Sequence, residues 1–329
     1  MATILSYQPM NIVEAQRKAG FTNTAEFLGD LVRQNDILNF LPFLPANHGF
    51  YHEWTEANRL GTGAWGKANT PIPLISSGSD VQRSNVFLYE GESQVDSRIL
   101  EACDDKMATR DAEDASNLEG FMQGWLDQLF YATGDADSFV GLSARRSDAS
   151  TGQVWDAGGS GNNCTSLWLF EFGANGFNIR YPHGTQPSFS TEDKGLQRVN
   201  APVGNGQMEA WVRHYKMWGG IQIKRQNALL RMGSINASNP FTAEMFIEMK
   251  NTLPSRGRDA VAFCNRDVHS MIEKEAWNKS NMAYSIADYE GFGPVTRVCG
   301  IPIMIAEAIL SNESFVEASG NGTSSNSMP

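Results

Sequence analysis

The clearest pattern of apolar and polar positions lies in the middle of the chain. Leu118, Phe121, Met122, Trp125, Leu126, Leu129 and Phe130 recur at spacings of three and four, which places them on one broad stripe of an α-helix. Asn117, Glu119, Gln123, Asp127 and Gln128 fall elsewhere. The spacing predicts a helix over residues 109–133, helped by Ala112 and Ala115 and stopped at Thr133-Gly134, where glycine accepts a left-handed cap. Taken alone, such a stripe describes an ordinary core helix.

The segment before it, residues 49–96, has no helical period. Tyr51, Trp54, Trp65, Ile72, Leu74, Ile75, Val81, Val86, Phe87, Leu88 and Tyr89 are scattered among Gly, Ser, Thr and Asn, with turn punctuation at Gly61-Thr-Gly63, Gly66 and Ser76-Ser-Gly-Ser79. Two or three extended strands with a long excursion between them fit this pattern. An isolated two-stranded ribbon is marginal in water, so the segment needs a neighbour to cover it. In a monomeric enzyme that ribbon would be a lid, and in an assembling protein a reaching arm. Further upstream, Phe27, Leu28, Leu31 and Val32 share one face of a helix expected over residues 24–40, which Leu41-Pro-Phe-Leu-Pro45 ends. This stretch has too few apolar residues to close its own core and reads as an N-terminal arm, residues 1–48.

Downstream the chain alternates between types. Residues 135–161 are turn-rich and end in Gly158-Gly-Ser-Gly161; no Lys stands there and a strand follows, so nucleotide binding through a phosphate loop is not expected. Residues 166–172 and 176–181 predict a hairpin. Residues 208–223 predict a long strand, with a bend or bulge at Gly219-Gly220, and Ile221, Ile223, Leu229, Leu230 and Ile235 close this β-rich region. A helix is expected over residues 239–253 with Pro240 in its first turn and Phe246, Met249 and Leu253 inward. A short buried strand at residues 260–264 precedes a second helix capped by Asn265, with Val268, Met271 and Ile272 inward. Residues 298–305 read as a further strand and residues 320–329 as a loose tail. The fold class expected is α+β.

Composition narrows the function. The 329 residues call for more than one substructure, and 41% hydrophobic content supplies a sizeable core. A net charge of −11 argues against a surface that wraps nucleic acid, although an acidic wall facing packaged DNA is tolerable because salt screens the repulsion. No stretch has the length of a membrane span, and the first ten residues lack the form of a signal peptide, so a cytoplasmic product that stays soluble until assembly is expected. On that reading Asn163-Cys-Thr165 and Asn278-Lys-Ser280 are not glycosylation sites. Cys103, Cys164, Cys264 and Cys299 form no C-x-x-C pair and read as buried free thiols. His48, His52, His183, His214 and His269 form no metal-binding spacing; His269 reads as a satisfied structural histidine and His183 as a turn residue. Gly141-Leu-Ser-Ala-Arg145 fails as a nucleophile elbow at its last position. Asp104-Asp105 and Glu113-Asp114 read as a solvated acidic entrance to the helix. No catalytic, cofactor-binding or metal-binding residue is assigned.

Several stretches together resemble a known family. They are the run Leu129-Phe-Tyr-Ala-Thr-Gly-Asp-Ala-Asp-Ser-Phe-Val-Gly-Leu142, then Asp156-Ala-Gly-Gly159, Thr165-Ser-Leu-Trp168, Tyr181-Pro-His-Gly184, Glu192-Asp193, Tyr215-Lys-Met-Trp-Gly-Gly-Ile-Gln-Ile223 and residues 227–235. In combination they are similar to the major capsid proteins of short-tailed bacteriophages, from the arm to about Leu310. The resemblance implies a Hong Kong 97-type capsid fold, with residues 1–48 as N-terminal arm and 49–96 as extended loop. A peripheral domain over 97–238 would be built on a spine helix at 109–133, followed by an axial domain over 239–311 and a tail over 312–329. Peripheral strands would then precede the axial elements, a permuted order for this fold. It also implies self-assembly through pentamers and hexamers into an icosahedral shell, in the virion, around double-stranded DNA held non-specifically. Portal, scaffold and a decoration or cement protein are further implied partners, with no membrane. One branch of the fold cross-links a loop Lys to a neighbour's Asn; Lys67 is the only Lys in the ribbon, and nothing in the sequence positions a partner acid for it. The rivals are a soluble enzyme with a ribbon lid, and a decoration or tail protein.

Overall fold

The computed structural model describes residues 36–69, 71–72, 74–184, 189–201, 206–277, 283–289 and 293–316. The first part of the expected arm helix, the Asn278 sequon and the tail from residue 317 lie outside the described residues. The chain begins with a short helix α1 (Asp36–Phe40) and strands β1 (Phe43–Pro45), β2 (Tyr51–Arg59), β3 (Gly78–Asn85) and β4 (Phe87–Asp96). Helices α2 (Ser97–Ala102), α3 (Lys106–Tyr131) and α4 (Leu142–Arg145) follow, then β5 (Val154–Asp156), β6 (Thr165–Glu171), β7 (Phe177–Tyr181), β8 (Phe189–Asn200), β9 (Gln207–Ile223) and β10 (Leu229–Ile235). The last part is α5 (Ala243–Thr252), β11 (Ala260–Cys264), α6 (Arg266–Ala276), β12 (Tyr284–Tyr289), β13 (Gly293–Val298) and β14 (Ile301–Ile305).

Helix α3 is the predicted stripe helix. It starts three residues earlier than the stripe suggests because the Asp105 side chain accepts hydrogen bonds from the N–H groups of Met107 and Ala108, a side-chain cap. Leu118, Met122, Trp125, Leu126, Leu129 and Phe130 are buried; Phe121 is half-buried against the rings of Tyr89, Phe189 and Tyr215. The acidic entrance divides: Glu113 is exposed, but Asp114 is buried, a correction to the solvated reading.

The strands form three sheets. One has seven strands in the order β12-β13-β14-β11-β6-β10-β5. One has five, ordered β1-β7-β9-β4 with β8 also on β9. The ribbon β2-β3 is a sheet of two. Both faces of the seven-stranded sheet are covered. Leu167, Leu169, Leu230, Ala262 and Ile303 pack with Phe246 and Met249 of α5 and Val268 and Ile272 of α6. Trp168, Phe170, Leu229, Val261 and Phe263 share the other core with α3 and the five-stranded sheet. A strand covered on both faces is apolar throughout, which is why β6 shows no alternation.

Several expectations need correction. The hairpin of residues 166–181 does not form: β6 has β10 and β11 on its two sides, so no edge is left for β7. The turn at residues 173–176 instead hands the chain to the five-stranded sheet, where β7 pairs with β1 and β9. No bulge occurs at Gly219-Gly220; β9 continues, passing from β4 to β7 as partner. The glycines allow close approach. A Cβ on Gly219 would lie 3.3 Å from the Trp125 ring, and one on Gly220 would lie 2.5 Å from the Asn85 carbonyl oxygen. Residues 298–305 are a hairpin rather than one strand, turned by Cys299 and Gly300, whose φ values of 52° and 87° are both left-handed, as a two-residue hairpin turn requires. Helix α5 begins at Ala243, after Pro240, because Phe241 just before the Thr242 cap is buried against Phe246 in the first turns, a hydrophobic staple. All four cysteines are free thiols, but Cys103 and Cys299 are only half-buried.

The chain visits the seven-stranded sheet twice. It enters with β5 and β6, leaves for β7, β8 and β9, and returns with β10 to β14. The cut expected between residues 238 and 239 therefore runs through this sheet. The chain thus interleaves the two larger sheets instead of completing one before starting the other.

Candidate assembly surfaces

Residues 51–59 and 78–85 pair antiparallel from Tyr51↔Asn85 to Arg59↔Gly78. Extended backbone is favoured here by β-branched and aromatic residues with glycine at the turns. Among the described residues, the ribbon pairs with no other strand. Beyond it the loop carries large apolar side chains into solvent: Trp65 and Leu74 are completely exposed, Ile72 and Leu60 mostly so, and Ile75 more than half, while Val81 of β3 is also exposed. Lys67 is exposed on the same loop. Strand β4, read from sequence as part of this excursion, pairs along its length with β9 and belongs to the five-stranded sheet.

At the ribbon root, Asn47 closes the turn. Its side chain accepts from the Glu53 N–H (2.9 Å) and donates to the Glu53 carbonyl (2.8 Å), while its own N–H donates to His52 Nδ1 (3.2 Å). His52 stacks on Trp54, and His48 on Tyr51. Burial, then the charges of Arg180, His48 and Lys224, lower the His52 pKa to about 4. Its ring is therefore neutral at pH 7 and free to accept that bond.

Two charge clusters, each with a buried arginine, hold the ends of α3. Near its start, Arg110 Nη2 donates to Asp193 Oδ1 of β8 (2.7 Å), and Asp114 lies 3.1 Å from Arg213 of β9. Arg110 also lies over the Trp211 ring at 4.9 Å. Burial raises the Asp193 carboxyl, but the bonds from Arg110 and the Gly195 N–H and the charges of Arg110 and Arg213 outweigh it and hold the pKa low. At the far end, Glu313 accepts from Tyr131 Oη (2.5 Å), Ser166 Oγ and Arg231 Nη2 (2.9 Å). Burial, then the adjacent Glu313 charge, raises the Tyr131 hydroxyl pKa. Residues 311–316 thus strap α3 to β6 and β10. The sequence reading missed both clusters. Arg110 and Asp114 had a signal: at i and i+4 they continue the apolar stripe toward Leu118.

Beside α3, Glu119, Gln123, Leu126, Asp127, Arg266, Glu307, Ala308 and Leu310 line an open groove of about 550 Å³. Arg266 hydrogen-bonds Glu307 there, and burial raises the Asp127 carboxyl pKa.

The histidines do not converge. His48 and His52 stand at the ribbon root; His183 is exposed in the turn after β7. His214 lies 3.9 Å from Glu90, and His269 lies 3.7 Å from Glu273. Among the described residues no group of His, Cys, Asp and Glu could hold a metal ion, and no helix is long and apolar enough to cross a membrane. Ser143 sits in the short helix α4, its carbonyl accepting from Arg231. The Gly158–Gly161 stretch is packed against β10 and the strap: Gly159 N–H donates to the Ser234 carbonyl, and Phe315 N–H to the Gly161 carbonyl.

The family model for major capsid protein GP7 matches residues 21–317. Among solved structures, a chain of bacteriophage Epsilon15 is similar with TM-score 0.61 and 22% identity, over 83% of this chain and 87% of that one. The capsid of the myovirus phage XM1 is similar with TM-score 0.38 and 10% identity, over 58% and 90%. The SrpI encapsulin complex of Synechococcus elongatus gives TM-score 0.43 and 10% identity, over 64% and 90%. No curated protein matches the sequence. With nearly the whole chain matched and the Epsilon15 likeness placing its fold among Hong Kong 97-type capsid folds, the chain belongs to the major capsid protein GP7 family, structural proteins of the phage capsid shell.

Proposed function

We propose that the ribbon is the arm by which one copy grips the next. It lies across a neighbouring subunit, where Trp65, Ile72, Leu74 and Ile75 leave water. The observation that carries this reading is that Trp65 and Leu74 are wholly exposed in the single chain. Each large apolar side chain so buried contributes about 1.5–3 kcal/mol, which favours contact between copies over a solvated loop. In this reading α3 and the five-stranded sheet form the peripheral part of the subunit, and the seven-stranded sheet with α5 and α6 forms the axial part. The arm of residues 1–48 and the tail from 312 extend from that body. Closed rings of five and six copies then build the shell around double-stranded DNA in the virion, after synthesis in the host cytoplasm, with portal, scaffold and decoration proteins as further partners. The subunit contacts are non-covalent, and Lys67 packs rather than cross-links.

Deleting residues 61–78 is expected to leave a folded subunit that forms no particles in electron micrographs when expressed with the other head proteins of its phage. Normal particles from that deletion would overturn the reading. Intact shells should fall to monomers in hot detergent; a ladder of covalent multimers would overturn the non-covalent contact.

A further inference from the structure

We propose that the root of the ribbon is a cationic seat that binds the acidic groove beside α3 of a second copy of this chain. The inference rests on the reading of the ribbon as an inter-subunit arm and says where its base is held.

The seat combines Arg180, Lys224 and His48 around His52. Arg180 Nε donates to Gln222 Oε1 (2.7 Å) and its Nη1 to the Pro45 carbonyl (2.8 Å). Lys224 donates to the Asn175 side chain (2.7 Å). Among the described residues, no carboxylate lies within ion-pair distance of Arg180 or Lys224, and Glu53 reaches only His48, at 3.9 Å. The partners of both cations are neutral amides and a carbonyl, so their charge is oriented but not cancelled. Burial lowers the His52 pKa most, and the charges of Arg180, His48 and Lys224 add to it in the same direction.

Such a field is unusual in a chain of net charge −11. Copies with that surplus repel one another, and they associate only where opposite charges are brought together locally. The groove supplies the opposite sign. Glu119, Asp127 and Glu307 stand against Arg266 alone, and Arg266 is already engaged by Glu307. Asp127 is exposed at the groove, where partial burial raises its pKa, and an arriving ammonium or guanidinium would favour its charged form. The volume of about 550 Å³ admits the ends of long cationic side chains. Phosphate groups of packaged DNA are the competing occupant of the seat. The surplus of acid on the chain itself favours the second copy.

The test is a charge exchange in the full chain, expressed with the other head proteins of its phage and scored by particle yield. Lys224→Glu is preferred because Arg180 also ties Pro45 to the sheet, and circular dichroism checks that each variant subunit folds. Lys224→Glu alone and Asp127→Lys alone should each lower the yield about tenfold or more, and the double variant should restore it toward the parent level. Parent-like yield from Lys224→Glu overturns the proposal, as does a double variant no better than the single ones. Unchanged yield with weakened binding of double-stranded DNA would overturn it in favour of phosphate. If Lys224→Glu does not fold, Lys224→Gln takes its place, and a yield equal to the parent's overturns the proposal. The ribbon reading fails separately, through particles formed without residues 61–78.

Discussion

Strands β2 and β6 make opposite uses of the same backbone. Strand β6 has partners on both edges, and all but the last of its residues are buried. Strand β2 has one partner, and no described residue along it is fully buried. The two differ in the number of ladders and in the number of covered faces, and the covered faces matter more. Hydrogen bonds contribute little net stability, because water offers the unfolded chain the same bonds, whereas burial of apolar faces contributes most of it. The single chain therefore stabilises β6 fully and leaves the ribbon to be completed from outside.

That contrast is open to measurement. The largest effect is expected from Phe170→Ala in β6, whose ring packs on Phe172, Phe177 and Phe263. Urea unfolding of the subunit should show a loss of about 3–5 kcal/mol. Next comes Glu313→Gln, which removes the charge facing buried Arg231; the same measurement should show a loss of about 1.5–3 kcal/mol. A loss from either variant no larger than from a ribbon substitution would break the contrast.

Acid should have a smaller effect. The folded pKa of His52, about 4, lies below its ordinary value of 6.5. Between these values the unfolded chain binds the proton and the folded chain does not. The contribution of His52 is thus complete above pH 6.5 and is lost as pH falls toward 4. The ring is only partly buried, so screening holds the effect to about 1 kcal/mol or less. It should appear as a shallower pH dependence of the urea midpoint in His52→Asn than in the parent. The smallest change in subunit stability, within about 0.5 kcal/mol, is expected from Trp65→Ser combined with Leu74→Ser. The same variant should lose particle formation, so its two readouts separate subunit folding from assembly.

Local features were the legible ones. The α3 stripe, the Asn265 cap whose side chain accepts from the Val268 N–H, and strand β11 all follow from a few adjacent residues. The exposed apolar ribbon was legible too, because no spacing of its residues could bury them in one chain. The failures were long-range. The run from Thr165 to Tyr181 looks like a hairpin until β10 and β11, from far along the chain, occupy both edges of β6. Asp114 looks like a surface acid until Arg213 arrives from β9. Glu313 offered no periodic or motif signal; its meaning comes from Tyr131, Ser166 and Arg231, each far away in sequence.

By itself the sequence determined the bodies of α3, α5 and α6, the Asn265 cap and strand β11, and that one long segment lacks cover. Backbone preference, side-chain period and capping are settled within a turn or two of chain. Only the tertiary structure decided which sheet each strand joins, that the chain enters the seven-stranded sheet twice, and which charges are buried together. Those outcomes depend on which edges and faces remain open after distant segments have packed, and a local pattern of residues carries no record of that competition.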